Sequence, residues 1–157
     1  MHKQDAYKLA IDARQLEIQL FWQRSNYFLA LTSAIAIGFF TLLPSPFAFV
    51  LAVLGCVVSF LWYLTNLGSK YWQSRWEEAA ARLERECFPD VNLFSATPAF
   101  IAGEVEKSLS TNGHAGFQRW IDSQIRKKPS VSYQMIRLSA LFFVFWCLMI
   151  VFLVASS

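Results

Sequence analysis

The stretch that decides the fold is SNYFLALTSAIAIGFFTLLPSPFAFVLAVLGCVVSFLWYLTNLGS, residues 25–69. It lies between Arg24 and Lys70 and contains no Lys, Arg, Asp or Glu. A helix needs about 20 apolar residues to cross the hydrocarbon of a bilayer at ~1.5 Å rise each. Pro44, Ser45 and Pro46 divide the stretch, because proline stops a helix and favours extended or turn geometry. The reading is a helical hairpin with a tight turn, its first span at 25–43 and its second at 47–67.

Working outward, a second charge-free stretch follows Arg137 and runs to the end of the chain. With Arg137 snorkelling toward headgroups it extends back to Val131 and gives a third span at 131–155. The chain is 55% hydrophobic and 17% aromatic, above the roughly 45–50% apolar share of soluble domains. Three such runs leave too little polar chain to cover them in water.

The 14 basic residues fall in three places: Lys3 to Arg24, Lys70 to Lys107 and Arg119 to Arg137. The Pro44–Pro46 turn and the tail after Val154 carry none. The positive-inside rule places the N-terminus and the segment between spans two and three in the cytoplasm, with the C-terminus outside. Acidic residues are interleaved with the basic ones, so no nucleic-acid partner is expected. The first apolar run follows two dozen residues of charged, periodic sequence and has no small-x-small site before Pro44, which argues against a signal peptide.

Residues 4–24 read as a cytoplasmic amphipathic helix with Tyr7, Ile11, Ile18 and Phe21 at helical spacing. Nothing breaks it before Gly38, so one helix continues into the first span. Trp22, Arg24 and Tyr27 mark the membrane interface there. Residues 69–87 continue the second span as a cytoplasmic helix. Trp72, Trp76 and Leu83, with Ala79 and Cys87, form an apolar stripe, and Arg75, Glu78, Arg82 and Glu86 form a charged one. Phe88–Pro89–Asp90 ends that helix. Residues 88–130 are loop and short amphipathic helices, one within 99–109 and another carrying Phe117, Trp120, Ile121 and Ile125. The latter, with Arg126, Lys127 and Lys128, either lies along the inner membrane surface or packs on the Trp72–Leu83 stripe. No internal repeat appears. The whole chain, 1–157, reads as one all-α membrane domain with three transmembrane helices, N-terminal and central cytoplasmic helices, and an oligomeric helical bundle.

Catalytic chemistry is not visible. Intramembrane enzymes place ionisable groups at depth, and no span holds one at its centre. His2 and His114 are too far apart in sequence to suggest a base and its orienter. Carboxylate pairs such as Glu84 and Glu86 read as solvated or salt-bridged. No cysteine or histidine spacing suggests a metal, so no catalytic residue, metal or cofactor is expected, and no structural disulfide. What the spans hold is packing chemistry. Ala30, Ala34 and Gly38 recur every fourth residue on the first, as do Gly55 and Ser59 on the second, a spacing that lets helices approach closely. Asn26, Thr32, Ser33, Thr41, Ser59, Thr65, Asn66 and Ser139 either hydrogen-bond between helices or line a pore. Trp146 at mid-span faces protein, because its indole N–H needs a partner.

Three segments carry a resemblance: Tyr7–Lys8–Leu9–Ala10–Ile11–Asp12, Phe21 through Leu29, and Asn66 through Glu77. On these the chain resembles the RipA-type octameric family of small bacterial inner-membrane proteins. The resemblance implies an N-in hairpin, a cytoplasmic helical bundle and a large homo-oligomeric ring. The layout is also similar to two-span effector modules of bacterial antiphage systems, which are thought to breach the membrane. The expected function is a non-enzymatic, homo-oligomeric inner-membrane protein that forms a pore or perturbs the bilayer, with itself and lipid as partners. The alternative is a scaffold that recruits a cytoplasmic protein through residues 88–128.

Overall fold

The structure, a computed structural model, describes residues 2–111, 116–127 and 130–156. Five helices follow in chain order: α1 Lys3–Thr41, α2 Phe47–Cys87, α3 Pro98–Thr111, α4 Phe117–Arg126 and α5 Val131–Ala155. No strand occurs among the described residues.

Local sequence explains the boundaries. α1 contains no proline and only one glycine, so nothing interrupts it between its charged first half and its apolar second half. It ends at the Pro44–Pro46 turn, where the Leu43–Pro44 bond is cis. There the Ser45 N–H donates to the Leu42 carbonyl at 2.6 Å, and the Ser45 hydroxyl accepts from the Phe47 N–H at 3.3 Å. α2 runs unbroken through Gly68 and Ser69. It stops before Pro89, which can neither donate to the ladder nor follow a helical residue. Thr97 caps α3 by accepting from the Phe100 N–H at 3.3 Å, with Pro98 at the first helical position. Gly116 precedes α4 at φ 64°, a conformation open to glycine and strained for other residues.

The chain forms two compact units. One comprises Met1–Arg14 and Ser74–Val131, and the other Gln15–Gln73 and Ser132–Ser157. In the first, α3 and α4 pack on each other. Ala10, Ala80, Ala81 and Glu84 are buried in it. The second holds the apolar core of Ile35, Phe39, Ala48, Ala52, Val58 and Trp146. α2 and α5 are long and apolar enough to cross a membrane. α1 falls short of that measure, because Arg24, Asn26, Thr32 and Ser33 dilute its apolar half.

Candidate functional site

In the second unit, four hydrogen bonds between helices fix the register of α1, α2 and α5. The Arg24 guanidinium donates to the Ser69 hydroxyl at 3.0 Å and to Glu17 at 3.2 Å. The Asn66 amide donates to the Met135 carbonyl and to the Ser139 hydroxyl, both at 3.2 Å. The Ser132 hydroxyl donates to Gln73 at 2.9 Å. Residues near 24, 69 and 135 therefore share one level. Of the two roles open to Asn66 and Ser139, the structure gives them a hydrogen bond between helices, inside the subunit.

Aromatic side chains surround that level. Trp22, Tyr27, Tyr71, Trp72 and Tyr133 are all exposed, and the Lys70 ammonium sits 5.9 Å from the Tyr133 ring centre. Arg137 is exposed as well. Amphipathic rings and long cations at one level are the composition of a headgroup belt.

Below the belt, small residues let α2 and α5 close on each other. Gly55 is buried against the Trp146 indole, which would overlap any Cβ placed there. Trp146 is fully buried, with Phe39 edge-on at 5.5 Å. Phe28 stacks on Trp62 at 6.0 Å and 10°. Ser25, Thr32 and Ser59 hydroxyls and the indole N–H groups of Trp62 and Trp146 are buried with no hydrogen-bond partner among the described residues. Such groups are uncommon, since buried polar atoms are nearly always paired.

The small residues expected to pack copies together divide into two sets. Gly55 and Ser59 are buried within the subunit, and Gly38 faces Leu51, whose Cδ1 a Cβ would meet at 3.2 Å. Ala30 and Ala34 are exposed. Their neighbours on the outward side of α1 are Asn26, Ser33, Ile37 and Phe40, all exposed. Outward residues on α2 include Val53, Leu54, Val57, Phe60, Leu61 and Leu64, and on α5 Leu141, Val144, Leu148, Val151 and Phe152. Those two faces are large and apolar, whereas that of α1 carries a small and polar patch at Asn26, Ala30, Ser33 and Ala34, flanked by exposed Leu31, Ile37 and Phe40.

In the first unit the buried line along α2 is Ala80, Ala81 and Glu84, rotated from the stripe read in the sequence. Trp76 and Leu83 are half-buried; Arg75, Glu78, Arg82 and Glu86 are exposed. The Lys3 ammonium pairs with Glu86 at 2.9 Å, and Arg75 lies 5.9 Å from the Trp76 ring centre. Glu84 departs from the solvated reading. Its side chain is fully buried and accepts from the backbone N–H groups of Leu93, Phe94 and Ser95 at 3.3, 2.9 and 2.8 Å. The Tyr7 hydroxyl donates to it at 3.0 Å. Burial pushes this carboxyl up, but hydrogen bonding from Ser95, Phe94 and Tyr7 outweighs that and holds it below its ordinary value. A lone Glu in a charged helix gave no signal of this; only the fold of the loop onto α2 reveals it. Arg14 adds a bond to Glu77 at 3.1 Å and lies over the Phe94 ring.

α4 presents Phe117 and Trp120 stacked at 5.6 Å and exposed. Lys127 is exposed and donates to Gln124. The Arg126 side chain and Lys128 lie outside what the structure describes. Among the described residues no three His, Cys, Asp or Glu converge on a metal-sized site.

A helical chain with two apolar helices of spanning length, an aromatic and basic belt and an apolar core closed by a glycine–tryptophan contact is a helical membrane protein. The chain belongs to the octameric membrane protein family (8xMP), whose sequence profile matches residues 4–155. The family name implies self-assembly into octamers. No curated protein and no solved structure matches the chain.

Proposed function

We propose that this chain is the non-enzymatic subunit of an octameric assembly in the bacterial inner membrane. In this reading α1 supplies the third span, the N-terminus and the first unit are cytoplasmic, and the C-terminus is periplasmic. The assembly opens or perturbs the bilayer, a role suited to an antiphage effector.

Register and length support the third span. From the belt level, α1 runs from Arg24 to Thr41, α2 from Phe47 to Ser69, and α5 from Met135 to Ala155. At ~1.5 Å per residue these stretches are about 26, 33 and 30 Å, close to the ~30 Å of a bilayer core. α1 lacks the apolarity of a solitary span, yet its neighbours hold it at the same depth.

The observation that carries the assembly is the contrast among outward faces. Lipid accommodates the large apolar faces of α2 and α5. Asn26, Ala30, Ser33 and Ala34 on α1 suit close contact with another helix or an aqueous lumen. Turned toward the other copies, α1 would line the centre of the ring. Exposed Leu93, Phe100, Phe117 and Trp120 in the first unit favour the second reading, a scaffold that recruits a cytoplasmic protein.

Purified protein reconstituted in vesicles decides between them. Release of a small dye together with an octameric native mass supports the pore. An octamer that leaves vesicles sealed supports the scaffold, and a monomeric mass overturns the homo-oligomeric assembly.

A further inference from the structure

We propose that Cys56 and Cys147 form an oxidisable dithiol at mid-membrane, which a lipid-soluble quinone closes to a disulfide that locks α5 onto α2. The two sulfurs lie 3.6 Å apart, on different helices. Both side chains are free thiols and half-buried. A disulfide needs a separation of about 2.05 Å, so the sulfurs have about 1.6 Å to travel, within reach of side-chain rotation.

Their proximity is built by the adjacent pair. Gly55 has no side chain, which lets the Trp146 indole seat directly on α2. Cys56 and Cys147 follow those two residues in sequence, so the closest approach of α2 and α5 presents the thiols to each other. Cys56, Phe145 and Met149 pack against the core that contains Trp146.

Depth selects the oxidant. The inference rests on the spanning orientation proposed above. Cys56 lies about 14 Å along α2 from Phe47, and Cys147 about 12 Å along α5 from Ala155, at ~1.5 Å per residue. Both then sit near the bilayer midplane, where charged oxidants do not enter. A quinone dissolved in lipid does reach it. Two S–H bonds break and one S–S bond forms; the two protons and two electrons pass to the quinone, which leaves as quinol. Cys87, the third free thiol, belongs to the first unit and serves as an internal control.

The test uses the full chain in vesicles of phosphatidylcholine and phosphatidylglycerol, with and without ubiquinone. Free thiols are counted with a maleimide after denaturation without reductant, and cross-linked peptides are identified by mass spectrometry. The expected result is loss of two of the three thiols only with quinone, with a Cys56–Cys147 peptide 2 Da lighter than its parts and full recovery with dithiothreitol. In Cys147→Ser, Cys56 stays open to alkylation. Three thiols remaining after quinone treatment would overturn the proposal, as would loss of the Cys56 thiol in Cys147→Ser, which means a link between copies. Failure of the pair to close with membrane-permeant copper–phenanthroline would overturn the geometry itself. Extraction of the protein from membranes by alkaline carbonate is scored separately, so a wrong spanning orientation is told apart from an unreactive pair.

Discussion

The Trp146 indole lies against Gly55 so closely that a Cβ at position 55 would overlap the ring. Helices α2 and α5 can meet there only because one of them has no side chain. The contact explains a buried tryptophan at mid-helix and a glycine that would otherwise weaken α2.

A graded glycine series tests this contact. Gly55→Ala is expected to lower the thermal midpoint in detergent, with a cost of about 1–3 kcal/mol from overpacking, and Gly55→Leu to release α5. Gly38→Ala meets only the flexible end of Leu51 at 3.2 Å and should be near neutral. Gly68→Ala meets nothing within 4 Å and should stabilise by up to about 1 kcal/mol through helix propensity. Equal behaviour of the three alanine variants would remove the packing account.

The buried polar atoms of the second unit should respond with opposite signs. Asn66→Leu removes bonds to Met135 and Ser139 and is expected to destabilise by about 1 kcal/mol, the range of hydrogen bonds between membrane helices. Thr32→Val replaces a buried hydroxyl that has no partner among the described residues with a group of the same shape, and should be neutral or stabilising. Unfolding in mixed micelles measures both.

Glu84 predicts a local pH dependence. Its carboxyl lies below its ordinary value of 4.5. The unfolded chain therefore binds the proton more readily, and the stability Glu84 contributes is present above pH 4.5 and lost as the pH falls through the folded value. Amide exchange at Leu93, Phe94 and Ser95 should accelerate sharply below that pH. In Glu84→Gln exchange should be fast already at pH 7, with a loss of about 2–3 kcal/mol for a buried, charge-assisted acceptor. Glu86, held low by Lys3, shifts in the same sense. That pair is exposed, so high salt removes its share and leaves that of Glu84.

Orientation is tested by fusions. A reporter after Ser157 should be active in its periplasmic form, and one before Met1 in its cytoplasmic form. The reverse pattern would overturn the reading of the basic residues.

Assembly is tested at the outward face of α1 and at Trp76. Ser33→Leu should lower the octamer fraction on native gels while Val144→Leu, on the α5 face, leaves it unchanged. Trp76→Ala is expected to weaken it as well. Unchanged size in Ser33→Leu and Trp76→Ala would remove the helix-packing account of the assembly.

Much of this architecture is legible along the chain, because hydrophobic run length, proline and charge act locally. The gap in charge from Ser25 to Ser69, the Pro44–Pro46 turn and the apolar run at 131–155 each name a helix without reference to any other. The unbroken helix through Gly68 follows for the same reason. The use of individual residues does not follow from such patterns. Gly55 and Ser59 resemble Ala30 and Ala34 by spacing, yet the first pair is buried inside the subunit and the second faces outward. Which side of a helix is covered depends on where the other helices lie. Glu84 and Glu86 are two residues apart on one helix; that separation turns one into the core under the Leu93–Ser95 loop and leaves the other in solvent beside Lys3. Chain order determined the helices of this protein and the kind of solvent they need. Only the packing of distant segments decided which glycine receives a tryptophan, which carboxylate is enclosed, and which two thiols meet, because each rests on contacts between residues tens of positions apart.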